Sequence, residues 1–218
     1  AFVQDTWRLG LNAGDLDLHW GVRAHRWSAL PNPWASERNT HLVGGPRAHA
    51  AFTPKAKPLT TYRVSGGWYY QPPFYREMRG FDGQINPEVA PQRAIHAVAG
   101  VDHECSSKGR PFKVVGELYW KDLDQLIPYE IENVRQRYYA TNNSEGYAAG
   151  LDVLLNGEFI PGIQSWLRMS ALTTAEDLVD DSYEEYYNED GFQVVPGYHS
   201  GTFAAITDTV LVQPGMIP

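Results

Sequence analysis

Asp15-Leu16-Asp17-Leu18-His19-Trp20-Gly21-Val22-Arg23-Ala24-His25-Arg26-Trp27 is the stretch that decides the fold. Leu16, Leu18, Trp20, Val22 and Ala24 take alternate positions, and Asp17, His19, Gly21, Arg23 and His25 fill the places between. A period of two sends the first set to one face of an extended strand and the second set to the other. A helix would scatter both sets around its circumference. Strands of soluble proteins usually run about 5–6 residues, and this alternation lasts about twice as long.

The pattern repeats along the chain. Phe112, Val114, Gly116, Leu118 and Trp120 oppose Lys113, Val115, Glu117, Tyr119 and Lys121. Tyr147, Ala149, Leu151, Val153, Leu155 and Phe159 oppose Ala148, Gly150, Asp152, Asn156 and Glu158. Ile95, Ala97, Ala99 and Val101 oppose His96, Gly100, Asp102 and Glu104, with Val98 interrupting the polar set. Leu167, Met169 and Ala171 oppose Arg168 and Ser170.

The chain is therefore expected to be all-β, with strands near 1–9, 15–29, 42–53, 58–70, 92–105, 111–125, 145–159 and 163–177 and a weaker one near 203–212. Short connections (Gly10–Gly14, Thr53–Pro58, Ser106–Arg110, Ile160–Gly162) alternate with long ones (Ala29–Leu42, Gln71–Pro91, Leu126–Ser144, Leu178–Thr202). Such a meander places tight turns on one rim and large loops on the other, as in outer-membrane barrels. A tilted strand needs about 9–11 residues to cross the hydrocarbon layer. In lipid, strands survive only where every backbone group is paired and the sheet closes. The expected fold is thus an antiparallel up-and-down transmembrane β-barrel segment, eight or nine strands of a larger barrel of roughly 22. Trp27, Trp68, Tyr69, Tyr70, Trp120 and Trp166 fall near strand ends, where interfacial girdles belong.

Totals agree with a folded chain. Its 218 residues are 43% hydrophobic with 13 Tyr, 8 Phe and 7 Trp, and mean hydropathy is −0.42. Net charge is −8, which argues against wholesale nucleic-acid binding. Eight carboxylates (Glu176, Asp177, Asp180, Asp181, Glu184, Glu185, Glu189, Asp190) crowd one stretch without Lys or Arg, reading as a solvated loop or an external loop that faces cations or a partner. The single Cys105 permits no internal disulfide. No apolar run is long enough for a membrane-spanning helix. The chain opens Ala1-Phe2-Val3-Gln4-Asp5 and closes after a β-rich run, and is expected to be a segment of something longer.

Several motifs give this pattern a family likeness. Trp68-Tyr69-Tyr70-Gln71-Pro72-Pro73-Phe74-Tyr75-Arg76-Glu77 is followed by Asn86-Pro87-Glu88-Val89-Ala90-Pro91-Gln92-Arg93. Phe2-Val3-Gln4-Asp5-Thr6-Trp7 precedes Leu16-Asp17-Leu18-His19-Trp20-Gly21-Val22-Arg23, and Glu117-Leu118-Tyr119-Trp120-Lys121-Asp122 precedes Gly146-Tyr147-Ala148-Ala149-Gly150-Leu151-Asp152. In order and spacing, residues 1 to about 175 resemble the barrel region of TonB-dependent outer-membrane receptors, with Val89 and Gln92 where the family has Leu and Glu. Pro161-Gly162-Ile163-Gln164-Ser165-Trp166 is similar to the Bacteroidota branch.

The resemblance implies that residues 1–218 are part of one receptor barrel domain, with the plug domain and C-terminal strands lying outside it. It implies active import across the bacterial outer membrane of a nutrient ligand (siderophore, glycan or peptide). The partners would be the TonB-ExbB-ExbD system acting through the plug, a surface lipoprotein, and outer-membrane lipid. Arg23, Lys113, Glu117, Asp152 and Arg168 would then face the lumen. Loop residues Tyr69, Tyr70, Phe74, Tyr75 and Arg76 are the ligand-binding candidates, because aromatic faces stack on sugars and flat chelators and Arg forks onto carboxylates. No catalytic residue, metal or cofactor is expected.

Two other classes compete. A soluble β-sandwich carbohydrate-binding module would pack the apolar face of this sheet on a second sheet. A β-rich glycosidase would need a carboxylate pair such as Asp122 and Asp124, or Glu184 and Glu185. His19 and His25 share a face but stand about 20 Å apart along a strand, and His96 and His103 take opposite faces, so neither pair binds one metal.

Overall fold

The computed structural model describes residues 1–30, 39–179, 181–196, 198, 201 and 205–216. Asp180, His199 and parts of the Ala29–Leu42 and Leu178–Thr202 connections lie outside the described residues.

Eight long strands form one antiparallel sheet: β1 (Phe2–Gly10), β2 (Gly14–Ala29), β3 (Asn39–Pro54), β4 (Thr60–Gln71), β5 (Gln92–Ser107), β6 (Arg110–Leu126), β9 (Ser144–Ile160) and β10 (Ile163–Leu178). Their spatial order is their chain order. Seven of them are 12 to 17 residues long. Four tight turns sit on one rim, while the long β2–β3, β4–β5 and β6–β9 connections leave from the other. At the β5–β6 turn, Lys108 and Gly109 both have positive φ (52° and 75°), the twisted geometry that lets long strands meet through two residues.

The register carries parity across the whole sheet. One row runs Trp7, Leu18, Ala50, Val64, Ala99, Leu118, Leu151, Ala171. The next row, facing the other way, runs Arg8, Asp17, Ala51, Arg63, Gly100, Glu117, Asp152, Ser170. All five alternating apolar sets therefore share one face. No second layer covers that face among the described residues: Leu118 is 60% exposed, Val64 57% and Met169 60%. Aromatic pairs brace it, with Trp7 against Trp20, Phe112 against Phe159, and Trp120 stacked on Tyr147 at 4.9 Å.

The eight strands form an open antiparallel sheet: β1 and β10 end it without pairing to each other. Several expectations are corrected. The strand expected near 203–212 is β13 (Asp208–Val212), which pairs with β11 (Tyr183–Tyr187), itself paired with β12 (Gln193–Val194), in a separate sheet. The acidic stretch is thus partly strand, its Tyr183–Tyr187 segment paired on both sides. The Leu126–Ser144 connection holds a hairpin, β7 (Tyr129–Glu132) with β8 (Arg135–Tyr138), which aligns Glu130 with Arg137 and Glu132 with Arg135. Trp27, Tyr69 and Trp166 lie opposite His41, Ala94 and Asn156 on the polar face, away from the apolar one, since they occupy the other parity. Trp68, Tyr70 and Trp120 keep the apolar parity.

The sheet also approaches itself closely at selected glycines. A Cβ on Gly150 would stand 2.4 Å from the Tyr119 hydroxyl and 2.6 Å from the Ala171 carbonyl, whereas one on Gly116 would meet only a Val101 methyl at 3.7 Å. Tyr119 is the direct cross-strand partner of Gly150 and lies over it. Gly150→Ala is expected to destabilise by about 1–3 kcal/mol through overpacking. Gly116→Ala should be neutral or stabilise by about 0.4–1 kcal/mol through loss of unfolded-state freedom. Denaturant titration of both variants measures the contrast.

Candidate functional site

The polar face divides into two regions. In the first, charges are matched strand by strand. Arg63 of β4 reaches Asp102 of β5 at 2.6 Å and Glu117 of β6 at 3.1 Å. Lys113 of β6 returns to Asp102 at 2.9 Å, and Arg168 of β10 lies 3.7 Å from Asp152 of β9. Glu117 and Asp152 stand directly opposite each other, a like-charge juxtaposition that the flanking Arg63 and Arg168 offset. The expected lumen-facing group thus splits: Lys113, Glu117, Asp152 and Arg168 belong to this ladder. Arg23, on β2, stands apart from it. Arg63 and Asp102 are the hub, and the sequence could have signalled them only through a correct register.

The second region holds Arg23, His19, His49, Arg47 and Tyr69. His19 and His49 face each other across β2 and β3 with ring centroids 5.6 Å apart, and the Thr6 hydroxyl bonds the Nδ1 of His19 at 3.0 Å. Pairing across strands, unlike spacing along one, brings these imidazoles together. The Arg47 guanidinium lies 4.1 Å over the Tyr69 ring, and Tyr69 stacks on His96 at 4.3 Å.

The five ligand-binding candidates occupy different settings. Tyr69 and Tyr70 belong to β4, paired with Ala94 and Arg93, and point to opposite faces. Their backbone ladder continues to Gln71, which is why they are strand and not loop. Phe74, Tyr75 and Arg76 are exposed on a turn in which the Glu77 carboxylate accepts from the Phe74 N–H at 2.7 Å. Arg76 joins Arg79 and Arg137 around a concavity of about 240 Å³.

That turn belongs to an ordered cap. Val89, Ile127 and Ala140 bury one another with Met78 and Tyr138 packed alongside. The Asn142 amide donates to the Ala90 and Gln125 carbonyls, at 3.1 and 2.8 Å, and accepts from the Ala90 N–H at 2.6 Å. Asn86 donates to the Ala140 carbonyl at 3.0 Å. Two long loops are therefore welded together above the sheet.

The carboxylate pairs considered for hydrolysis are otherwise engaged or exposed. Asp124 pairs with Arg93, and Asp122 aligns with Ile95 and Tyr147. Glu184 accepts from Tyr186 at 2.6 Å, and Glu185 from Tyr187 at 2.6 Å and Tyr183 at 3.2 Å. No group of three or more His, Cys, Asp or Glu converges among the described residues. No protein-family model matches the sequence, and comparison with curated proteins and with solved structures finds no match.

Two predictions follow from these contacts. Asp102 is one-fifth exposed and serves two cations, placing it between surface pairs worth about 0–1 kcal/mol and buried ones costing about 3–5 when broken. Asp102→Asn should cost about 1–2 kcal/mol, and a cycle with Arg63→Ala should give a coupling near 1 kcal/mol in denaturant titrations. The hydrogen bond to Glu185 raises the phenol pKa of Tyr183 and Tyr187, and that to Glu184 raises Tyr186, above the ordinary 10.0. A raised value means that the bond's contribution is complete below pH 10 and vanishes as pH climbs through the folded-state pKa. Phenolate absorbance should show these three tyrosines titrating above 10.0, and Glu185→Gln should bring Tyr183 and Tyr187 back toward it.

Proposed function

We propose that this chain forms wall strands and external loops of an outer-membrane active-transport receptor that takes up a nutrient ligand with TonB energy coupling. The observation that carries the reading is the single-parity register. It gathers most apolar side chains of eight long strands on one uncovered face and two-thirds of the charged ones on the other, the exceptions being Asp5, Arg26 and charges near the strand ends such as Arg93, Asp122 and Asp124. A face rich in exposed Leu, Val, Trp and Met is costly in water and suited to acyl chains. The polar face suits a wet or protein-filled lumen. Strand lengths beyond the bilayer requirement and the segregation of tight turns from long loops support the same reading. In it, residues 1–218 are one part of a barrel wall whose remaining strands close the sheet. The ExbB-ExbD motor would act through a plug domain, and a surface lipoprotein could meet the welded loops. The chemistry is binding and transport, with no catalytic step.

The test is fluorescence from probes on single cysteines placed in a Cys105→Ser background of the full protein in lipid bilayers. Probes at Leu118→Cys and Leu151→Cys should be strongly quenched by brominated acyl chains, and one at Ser170→Cys on the other face should not. Equal quenching of both faces, or a protein that stays monodisperse without detergent, sinks the proposal and favours a soluble binding module.

A further inference from the structure

Two neighbouring rows on the polar face carry no carboxylate at all. They run Thr6, His19, His49, Ser65, Val98, Tyr119, Gly150, Leu172 and Gln4, Gly21, Arg47, Gly67, His96, Lys121, Ala148, Thr174. In a chain with 26 acidic residues against 18 Lys and Arg, such a gap stands out. One row further toward the tight turns, Asp17 pairs with Arg8, Glu117 with Arg63 and Asp152 with Arg168. The Arg47 side chain makes no hydrogen bond or ion pair among the described residues, and its Nε is buried without an acceptor. Arg23 and Lys121 likewise form no ion pair among the described residues.

We propose that this region is an anion-binding site centred on Arg47, which takes a small solute bearing carboxylates or phosphates. The Arg47 guanidinium is held flat by Tyr69, which is backed in turn by His96. A planar fork fixed in this way presents paired donors to an oxyanion at little cost in side-chain freedom. Thr6, His19, Arg23, Arg47, His49 and Tyr69 line a concavity of about 520 Å³, room enough for a small polyanion; Asp5 also lines it, its two carboxylate oxygens accepting from the Thr6 N–H and the Trp7 Nε1–H. An oxyanion there would accept from the accessible Nη end of the Arg47 guanidinium, and would meet the positive potential of Arg23 and Lys121. The proposal rests on the polar face being the wall of a solute passage, and it names the class of solute that this wall selects.

Titration calorimetry on the full protein in detergent micelles, at constant ionic strength, tests it with citrate and inorganic pyrophosphate as the carboxylate and phosphate probes. Saturable binding of at least one is expected. Arg47→Gln and Arg47→Lys should each weaken it tenfold or more, the lysine because it keeps charge without the fork. Arg8→Gln, the same charge change on the same face outside the concavity, should stay within twofold of the parent. Near-ultraviolet circular dichroism confirms that each variant is folded. The site is overturned by absence of saturation below about 10 mM, by parental affinity in either Arg47 variant, or by equal loss in Arg8→Gln. Anion binding through Arg47 in a protein that needs no detergent would keep the site and remove the wall reading. Lipid quenching of Leu118 without anion binding would do the reverse.

Discussion

Apart from a bulge near one end of the β6–β9 and β9–β10 seams, the pairings in the main sheet set like parity beside like parity, and the rest of the structure depends on that alignment. A slip of one residue at any seam would turn all strands beyond it over, driving Glu117 or Asp152 among the leucines and Leu118 or Leu151 among the charges. The tight turns and the cross-strand packing hold the register between them. Tyr119 covering Gly150 and Trp120 lying flat on Tyr147 are complementary shapes that fit at one register only. The short turns limit how far each hairpin can drift.

Given that alignment, the polar face follows. Parity delivers Arg63, Asp102, Glu117 and Asp152 to neighbouring positions, where alternating sign permits a ladder of ion pairs across β4, β5, β6, β9 and β10. The same parity gathers Arg23, Arg47 and Lys121 with imidazoles and no carboxylate. The two regions obey one geometric rule and differ only in the residues it brings together. At the loop rim a different device operates: Asn142 uses both ends of its amide to tie two connections, and Ala140 tolerates φ of 56° because its methyl is buried against Val89 and Ile127.

Much of this was legible in the chain. Strands such as β2, β6 and β9 announce themselves because alternation over a dozen or more residues has no helical counterpart, and their ends are marked by Gly, Pro and Asn. Of the short strands only β13 was legible, since two to five residues inside a polar stretch look like any loop. The Tyr129–Glu132 and Arg135–Tyr138 hairpin did carry a signal in its opposed acids and bases, which a search for charge complementarity would detect. The ligand-site candidates scatter because composition groups aromatic residues without regard to where a strand stops: Tyr69 and Tyr70 end β4, whereas Phe74, Tyr75 and Arg76 sit on the turn beyond it. The Arg47–Tyr69–His96 stack and the His19–His49 pair join residues distant in sequence. Nothing within a single strand hints at them.

Because neighbours in the sheet are neighbours in the chain, each hairpin is a detachable module. Gaining or losing one by gene duplication or deletion would alter the span by two strands without rerouting any connection or inverting any surface. Such architecture can explore different widths over evolutionary time while its mode of assembly, one hairpin laid against the last, stays the same.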